Sequence, residues 1–378
     1  MAFWFCWLDR ARRRTRPLQW RATGSDDAMC IDDMSRGQAD CALTSRKHFK
    51  LRRMRILITG GGGFIGQQVA RALLAPDRTR GSTGASTQVS ELILLDQAFA
   101  PGRLEEARIK YVTGDILDRQ FIRSTFAAPI DAVFHFASVV SAGAEADFDL
   151  GMRVNVDGMR MVLEACRENS VAPRVVFTSS VAAFGGSLPE VVTDSTATTP
   201  QSSYGTQKVI GELLVNDYTR KGYIDGRCVR LPTIVVRPGK PNRAASGFMS
   251  NILREPLKGE PAVCPVPART KMWIASPHSA VNALLHAMDL PAGEWGWNRT
   301  LNAPGITVSV AEALSALGCI AGPETSGLVR FVADPAVEKI VSGWPVHFAT
   351  SRADGLGFTR DSSIEDIIKS HIDAARST

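Results

Sequence analysis

The chain has 378 residues, 44% of them hydrophobic and 22% charged, a balance that fits a globular protein of one or two domains. Its net charge of +6 lies in residues 1–53, where twelve Lys and Arg stand against six Asp; the remainder is neutral and offers no basic excess to a nucleic acid. Seven cysteines without a CxxC pair and six dispersed histidines exclude a disulfide framework and a metal centre, and fit free thiols in a reducing cytoplasm.

The opening "MAFWFCWLDRARRRTR" places its short apolar run ahead of its arginines. That is the reverse of a secretory signal, and too short to span a bilayer. No later window approaches twenty apolar residues, so no membrane partner is expected. Residues 1–53 lack a helical or strand period and are expected to be a disordered basic leader, with Met54 the natural first residue.

From Met54 onward a period is present. "RILIT" (55–59) reads as a strand buried on both faces, followed by glycines and the helical pattern "FIGQQVARALL". A polar segment leads to "ELILLD" (91–96), the second strand. "IKYVTGD" (109–115), "DAVFHFA" (131–137), "RVVFTSS" (174–180) and "GRCVRLPTIVV" (226–236) supply the third to sixth strands. Helical patterns lie between them, notably 152–169. Alternating strands and helices predict an α/β fold, a Rossmann-type doubly wound parallel sheet. The division expected is a dinucleotide-binding domain over 54–237 holding the catalytic residues, and a smaller substrate-binding region over 238–378 with carboxyl-terminal helices.

"TGGGGFIG" sets Gly60, Gly63 and Gly66 in GxxGxxG spacing between a strand and a helix. Glycine there allows a tight turn and close approach of a pyrophosphate, and the helix N-terminus supplies free N–H groups. Asp96 ends the second strand, where a carboxylate can accept both ribose hydroxyls of NAD and repel a 2′-phosphate. Its distance from Gly60 exceeds the usual spacing of about 20 residues because of the polar segment 76–90. Asp115 can serve either the cofactor or the N-cap of the next helix. Tyr204 and Lys208 in "SSYGTQKVIGELL" stand four apart on one helical face, and a lysine beside a tyrosine is expected to favour the phenolate. Ser180 falls at the carboxyl end of the fifth strand, where ligands of open α/β sheets bind.

TGxxGFIG, the strand-end Asp, "GDILD", "HFAS", "RVNVDG", "TSS" and YxxxK occur in this order over about residues 54–375. The chain so resembles the extended short-chain dehydrogenase/reductase family, also called the NAD-dependent epimerase/dehydratase family. That resemblance implies Tyr204 as catalytic acid/base, Lys208 as the residue that binds the nicotinamide ribose and tunes Tyr204, and Ser180 as a donor to the reacting oxygen. Gly60, Gly63, Phe64, Ile65, Gly66, Asp96, Asp115, Ile116, Ala137, Ser138 and Asn155 would form the cofactor cleft. "AAFGG", with Phe184, departs from the "VYG" of nucleotide-sugar members, and 230–260 and 271–287 are similar to a subgroup that oxidises a four-carbon sugar acid, D-erythronate, at C2. The implied activity is NAD-dependent oxidation of a small 2-hydroxy sugar acid, by a cytoplasmic enzyme acting alone or as a homodimer. A nucleotide-sugar epimerase or dehydratase and a non-catalytic NAD-binding regulator are the alternatives. An acid substrate needs a cationic clamp, for which Arg237, Lys240, Arg243 and Arg254 are open candidates.

Overall fold

In the computed structural model, which describes residues 52–75, 87–239 and 244–376, the run "RILIT" is the core of β1 (Arg52–Thr59). The leader up to residue 51, the loop 76–86, Lys240 and Arg243 lie outside the described residues. In chain order β1 is followed by α1 (Phe64–Leu74), β2 (Thr87–Asp96), β3 (Ile109–Thr113), α2 (Arg119–Thr125), β4 (Ala132–His135), α3 (Ser141–Ala146) and α4 (Phe148–Met152). A π-helical turn (Arg153–Gly158) joins α4 to α5 (Met159–Glu168), and β5 (Arg174–Ser180), α6 (Ser203–Arg220) and β6 (Asp225–Leu231) follow. The third to fifth predicted strands thus fall where they were expected, and helix 152–169 carries the π turn as an interruption.

These strands form a seven-stranded sheet in the order β10–β6–β5–β4–β1–β2–β3, with β10 (Thr300–Asn302) at one edge. Every pairing in it is parallel. The order reverses between β1 and β4, which makes the sheet doubly wound and opens a crevice there at the carboxyl ends of the strands. Burial explains the run of apolar residues. Ile56, Ile58, Leu92, Leu94 and Phe134 point to a layer holding Val69 and Leu73 of α1. Leu57, Ile93, Leu95, Val133 and Phe177 point the other way, to Val162, Leu163 and Cys166 of α5 and Val215 of α6. A strand with helices on both faces has no polar side to show.

The predicted sixth strand, 226–236, is two strands in two sheets. Pro232 follows β6, and its lack of an N–H ends the ladder. Thr233–Ile234 is β7, which leaves for a three-stranded sheet with β9 (Lys271–Ala275) and β11 (Ile306–Ser309). Between these lie α7 (Gly247–Arg254), β8 (Ala262–Cys264), α8 (Pro277–Asp289) and α9 (Ala292–Trp295). After β11 come α10 (Val310–Ala321), α11 (Pro323–Gly327), β12 (Val329–Phe331), α12 (Pro335–Ser342), α13 (Ser351–Gly355) and α14 (Ile364–Arg376). Phe248, Met249 and Leu253 of α7, Leu317 of α10 and Ile367 of α14 build a second core under the small sheet. The chain beyond 238 is not confined to that region. Leu284 and Met288 of α8 enter the core of the large sheet, and β10 completes its edge.

Two boundaries differ from the expected ones. Asp118, not Asp115, caps α2, accepting from the N–H groups of Gln120 and Phe121. Arg52 and Arg53, counted above with the leader, are strand residues that pair with Thr87 and Gln88 of β2. A chain shortened to begin at Met54 therefore loses two rungs of a parallel ladder. At about 0.5–1.5 kcal/mol per backbone hydrogen bond, it is expected to melt a few degrees below a chain beginning at Arg52. Thermal unfolding of the two side by side checks this, and equal melting temperatures would show the two residues contribute nothing.

Candidate active site

The glycine turn after β1 is closed by its own backbone. Gly61 donates to the carbonyl of Leu95 at 3.0 Å, Gly63 to that of Gly60 at 3.1 Å, and Gly62 donates to Asp96 Oδ2 at 2.9 Å. Gly60 has φ +71°, and a Cβ there would stand 2.7 Å from the backbone nitrogen of Ala137, so no other residue fits. A Cβ on Gly66 would run into the Gly60 carbonyl oxygen. Gly63 is the N-cap of α1 and no side chain caps the helix. The first N–H groups of an eleven-residue helix are thus left for a ligand, at the end of a turn built from glycines. These residues fit a dinucleotide. Phe64 and Ile65 open α1, both half-buried, and Ala137 and Ser138 follow β4 on the far side of the crevice.

Ser180, Tyr204, Ile65 and Arg237 line one cavity of about 200 Å³ at the carboxyl ends of β5 and β6, together with Ser246 and Trp344. Ser180 ends β5, and its Oγ accepts from the Ala182 N–H at 3.2 Å, which fixes the hydroxyl while leaving its O–H to donate. Tyr204 stands in the first turn of α6, whose N-cap is Ser202. Lys208, one turn on and only 4% exposed, holds its Nζ 5.4 Å from the Tyr204 ring centre and 4.8 Å from that of Phe177. The sequence brings these groups together as expected.

The electrostatics differ from the expectation for this pair. Burial pushes the Tyr204 phenol up to about 12, partly offset by Arg237, so the free protein holds a neutral phenol and not a phenolate. Burial also brings the Lys208 ammonium down to about 8, against the carboxylate of Glu212, which holds it up. His135, stacked on Phe177 and bonded through Nδ1 to Thr59 Oγ1 at 2.9 Å, is pushed down to about 3 by burial and by Lys208, and is neutral. Desolvation outweighs the attraction that sequence spacing alone predicts.

The other expected residues divide between cleft and scaffold. Asn155, in the π turn, accepts from the Val139 N–H at 2.7 Å and donates to its carbonyl and to Gln207 Oε1, which ties the loop after β4 to α6 beside Lys208. Asp115 is exposed and accepts from the Leu117 N–H; Ile116 is buried against Gly158. Arg254 is 2% exposed and engaged with Glu255, with Asn251 and with the carbonyl of Arg237. Glu212 was not anticipated, although it continues the four-residue spacing of Tyr204 and Lys208. It receives Ser179 Oγ at 2.5 Å and Arg230 through both oxygens at 2.8 and 2.7 Å, and Arg230 lies 4.7 Å over the buried ring of Phe184. Trp344 and Ser246 come from distant loops and carry no signal in the sequence.

The model of the NAD dependent epimerase/dehydratase family matches residues 56–290, and the chain belongs to that family. It is 49% identical over 322 residues to the D-erythronate dehydrogenase of Cupriavidus necator, covering 85% of this chain and 99% of that one. To the D-erythronate dehydrogenase of Haemophilus influenzae it is 44% identical over 327 residues, again covering 85% and 99%. A solved structure described as a nucleoside-diphosphate-sugar epimerase from Agrobacterium tumefaciens superposes with a TM-score of 0.81 at 41% identity, covering 88% of this chain and 98% of that one.

The Arg230–Glu212 pair is 8% and 5% exposed, so removing one charge strands the other. Glu212→Gln is expected to cost about 3–5 kcal/mol of stability, with part regained when Arg230 is also replaced by Met. Because Glu212 holds the Lys208 ammonium up against burial, the variant also loses activity at lower pH than the parent as pH is raised. Denaturant unfolding and a pH–rate profile check both effects.

Proposed function

We propose that the protein oxidises D-erythronate at C2 to 2-dehydro-D-erythronate with NAD as the acceptor. The observation that carries this reading is the convergence of Tyr204 and Ser180 on one small cavity beside the glycine turn. Two relatives at 49% and 44% identity that bear the name of that activity support the substrate.

Gly60, Gly63, Gly66 and the N-terminus of α1 would hold the pyrophosphate, and Asp96 the adenosine ribose. Asp96 already accepts from Gly62, so its carboxylate is aimed into the turn and disfavours a 2′-phosphate. NAD, when bound, accepts the hydride and brings a cationic ring to the site. Tyr204 takes the proton of the C2 hydroxyl as the carbon is oxidised. Lys208 supplies positive charge at the Tyr204 ring and stabilises the phenolate that proton transfer requires. Ser180 donates to the substrate oxygen and orients it. Asn155, through Val139 and Gln207, holds the walls of the cleft.

The likeness to a structure described as a nucleoside-diphosphate-sugar epimerase favours a second reading, in which the same residues act on a nucleotide sugar. Cavity size argues for the smaller substrate: about 200 Å³ is below the ~300–1,000 Å³ of pockets for drug-sized ligands. Among the described residues no helix is long and apolar enough to cross a membrane. Cys166, Cys228, Cys264 and Cys319 are free, which supports a reducing, cytoplasmic setting.

Tyr204→Phe removes the ionisable hydroxyl and leaves the ring. NADH formation from D-erythronate is expected to fall by about 10²–10⁴-fold, with NAD binding retained. A variant with most of its turnover would place the base elsewhere. An unsubstituted enzyme that interconverts nucleotide sugars without releasing NADH would favour the second reading.

A further inference from the structure

Arg237 stands out when the lining of the cavity is read for charge. Apart from it, the lining consists of apolar side chains, hydroxyl groups and the Tyr204 phenol; no Asp, Glu or Lys is present among its described residues. Arg237 is fixed in place by three contacts. Its N–H donates to Ser250 Oγ at 3.1 Å, its carbonyl accepts from Arg254 at 2.6 Å, and its guanidinium donates to Ser246 Oγ at 3.3 Å. Among the described residues no carboxylate pairs with it, whereas Arg254 and Arg230 are each matched by a glutamate. A guanidinium has five N–H donors, and a partly buried cation without a counter-charge favours an incoming anion.

The geometry points to Arg237 as the clamp for the substrate carboxylate, and so as the residue that makes C2 the oxidised carbon. This rests on the functional reading above and selects one of the four cations that the sequence left open. In a 2-hydroxy acid the reacting carbon is bonded directly to the carboxylate carbon. A clamp must therefore lie beside the base, and Arg237 lines the same cavity as Tyr204. The forked donors of arginine match a carboxylate bidentately, which fixes the rotation of the acid as well as its position. Burial lowers the pKa of Arg237 and the Tyr204 charge raises it, so the two groups sense one another. A seated carboxylate would bring the hydroxyl of the adjacent carbon into the cavity that Tyr204 lines. A neutral polyol has no group for the fork and no reason to present that carbon.

The test compares D-erythronate with its amide, which keeps the hydroxyls and loses the charge. The parent enzyme is expected to prefer the acid strongly. Arg237→Met should raise the KM for the acid about 10- to 100-fold, the scale of hydrogen bonds to a charged group, and bring acid and amide to within a few-fold. Arg237→Lys should recover part of the preference, and NAD affinity, measured by fluorescence quenching, should stay unchanged and report an intact fold. Lys240→Ala and Arg243→Ala should keep the preference. An Arg237→Met enzyme that still prefers the acid overturns the assignment, as does loss of the preference in either neighbouring variant instead. A parent enzyme that forms no NADH with any sugar acid of four to six carbons contradicts the functional reading itself.

Discussion

Exclusion of water at the carboxyl ends of β4, β5 and β6 is the constraint on which the site depends. A parallel sheet covered on both faces brings its loops together only at this edge, and the groups placed there lose most of their solvent. Three titratable groups there turn away from their charged forms. Tyr204 rises to about 12, Lys208 falls to about 8 and His135 to about 3. The free protein therefore holds a neutral phenol at neutral pH. In the proposed reaction, proton transfer to Tyr204 calls for positive charge beside its ring; Lys208 stands 5.4 Å from the ring centre and Arg237 lines the same cavity.

Holding those cations in a dry place has its own cost, which the structure offsets by pairing. Glu212 supports Lys208 from one turn along α6 and neutralises Arg230 behind it. The same carboxylate takes the hydroxyl of Ser179, next to Ser180, so the end of β5 and the face of α6 are bound into one unit. Asn155 does the same for the loop after β4, through Val139 and Gln207. Arg237 is the exception, a cation left for a substrate. Its partner Arg254 is used to hold it, not to bind a ligand.

Much of this was legible in the sequence because its signals are local. Buried parallel strands read as apolar runs, the glycine turn reads as strand–glycine–helix, and a four-residue spacing puts Tyr204 and Lys208 on one face of α6. What could not be read depends on contacts between distant segments. Arg52 and Arg53 are polar, and only pairing with Thr87 and Gln88 makes them strand. β10 has three residues, too few for a period, and belongs to the sheet through Cys228, Val229 and Arg230. The single proline at 232 sends an apparently continuous strand into two sheets. Of the two candidate cations among the described residues, Arg254 is matched by Glu255 and Arg237 lines the cavity, a difference that only the folded chain carries. The sign of the Tyr204 shift was missed for a related reason: spacing shows that a lysine is near, but not how much water has been removed.

The account turns on a phenol kept neutral by burial until cations are assembled around it. The direct measurement is a pH titration of tyrosinate absorbance in the ligand-free protein, with the Tyr204→Phe protein as the subtracted reference. The difference should show Tyr204 ionising well above the ordinary value of about 10, near 12, and at lower pH once NAD is added. A phenolate at residue 204 near neutral pH in the free protein would contradict it, and would mean that Lys208 alone suffices to ionise the tyrosine.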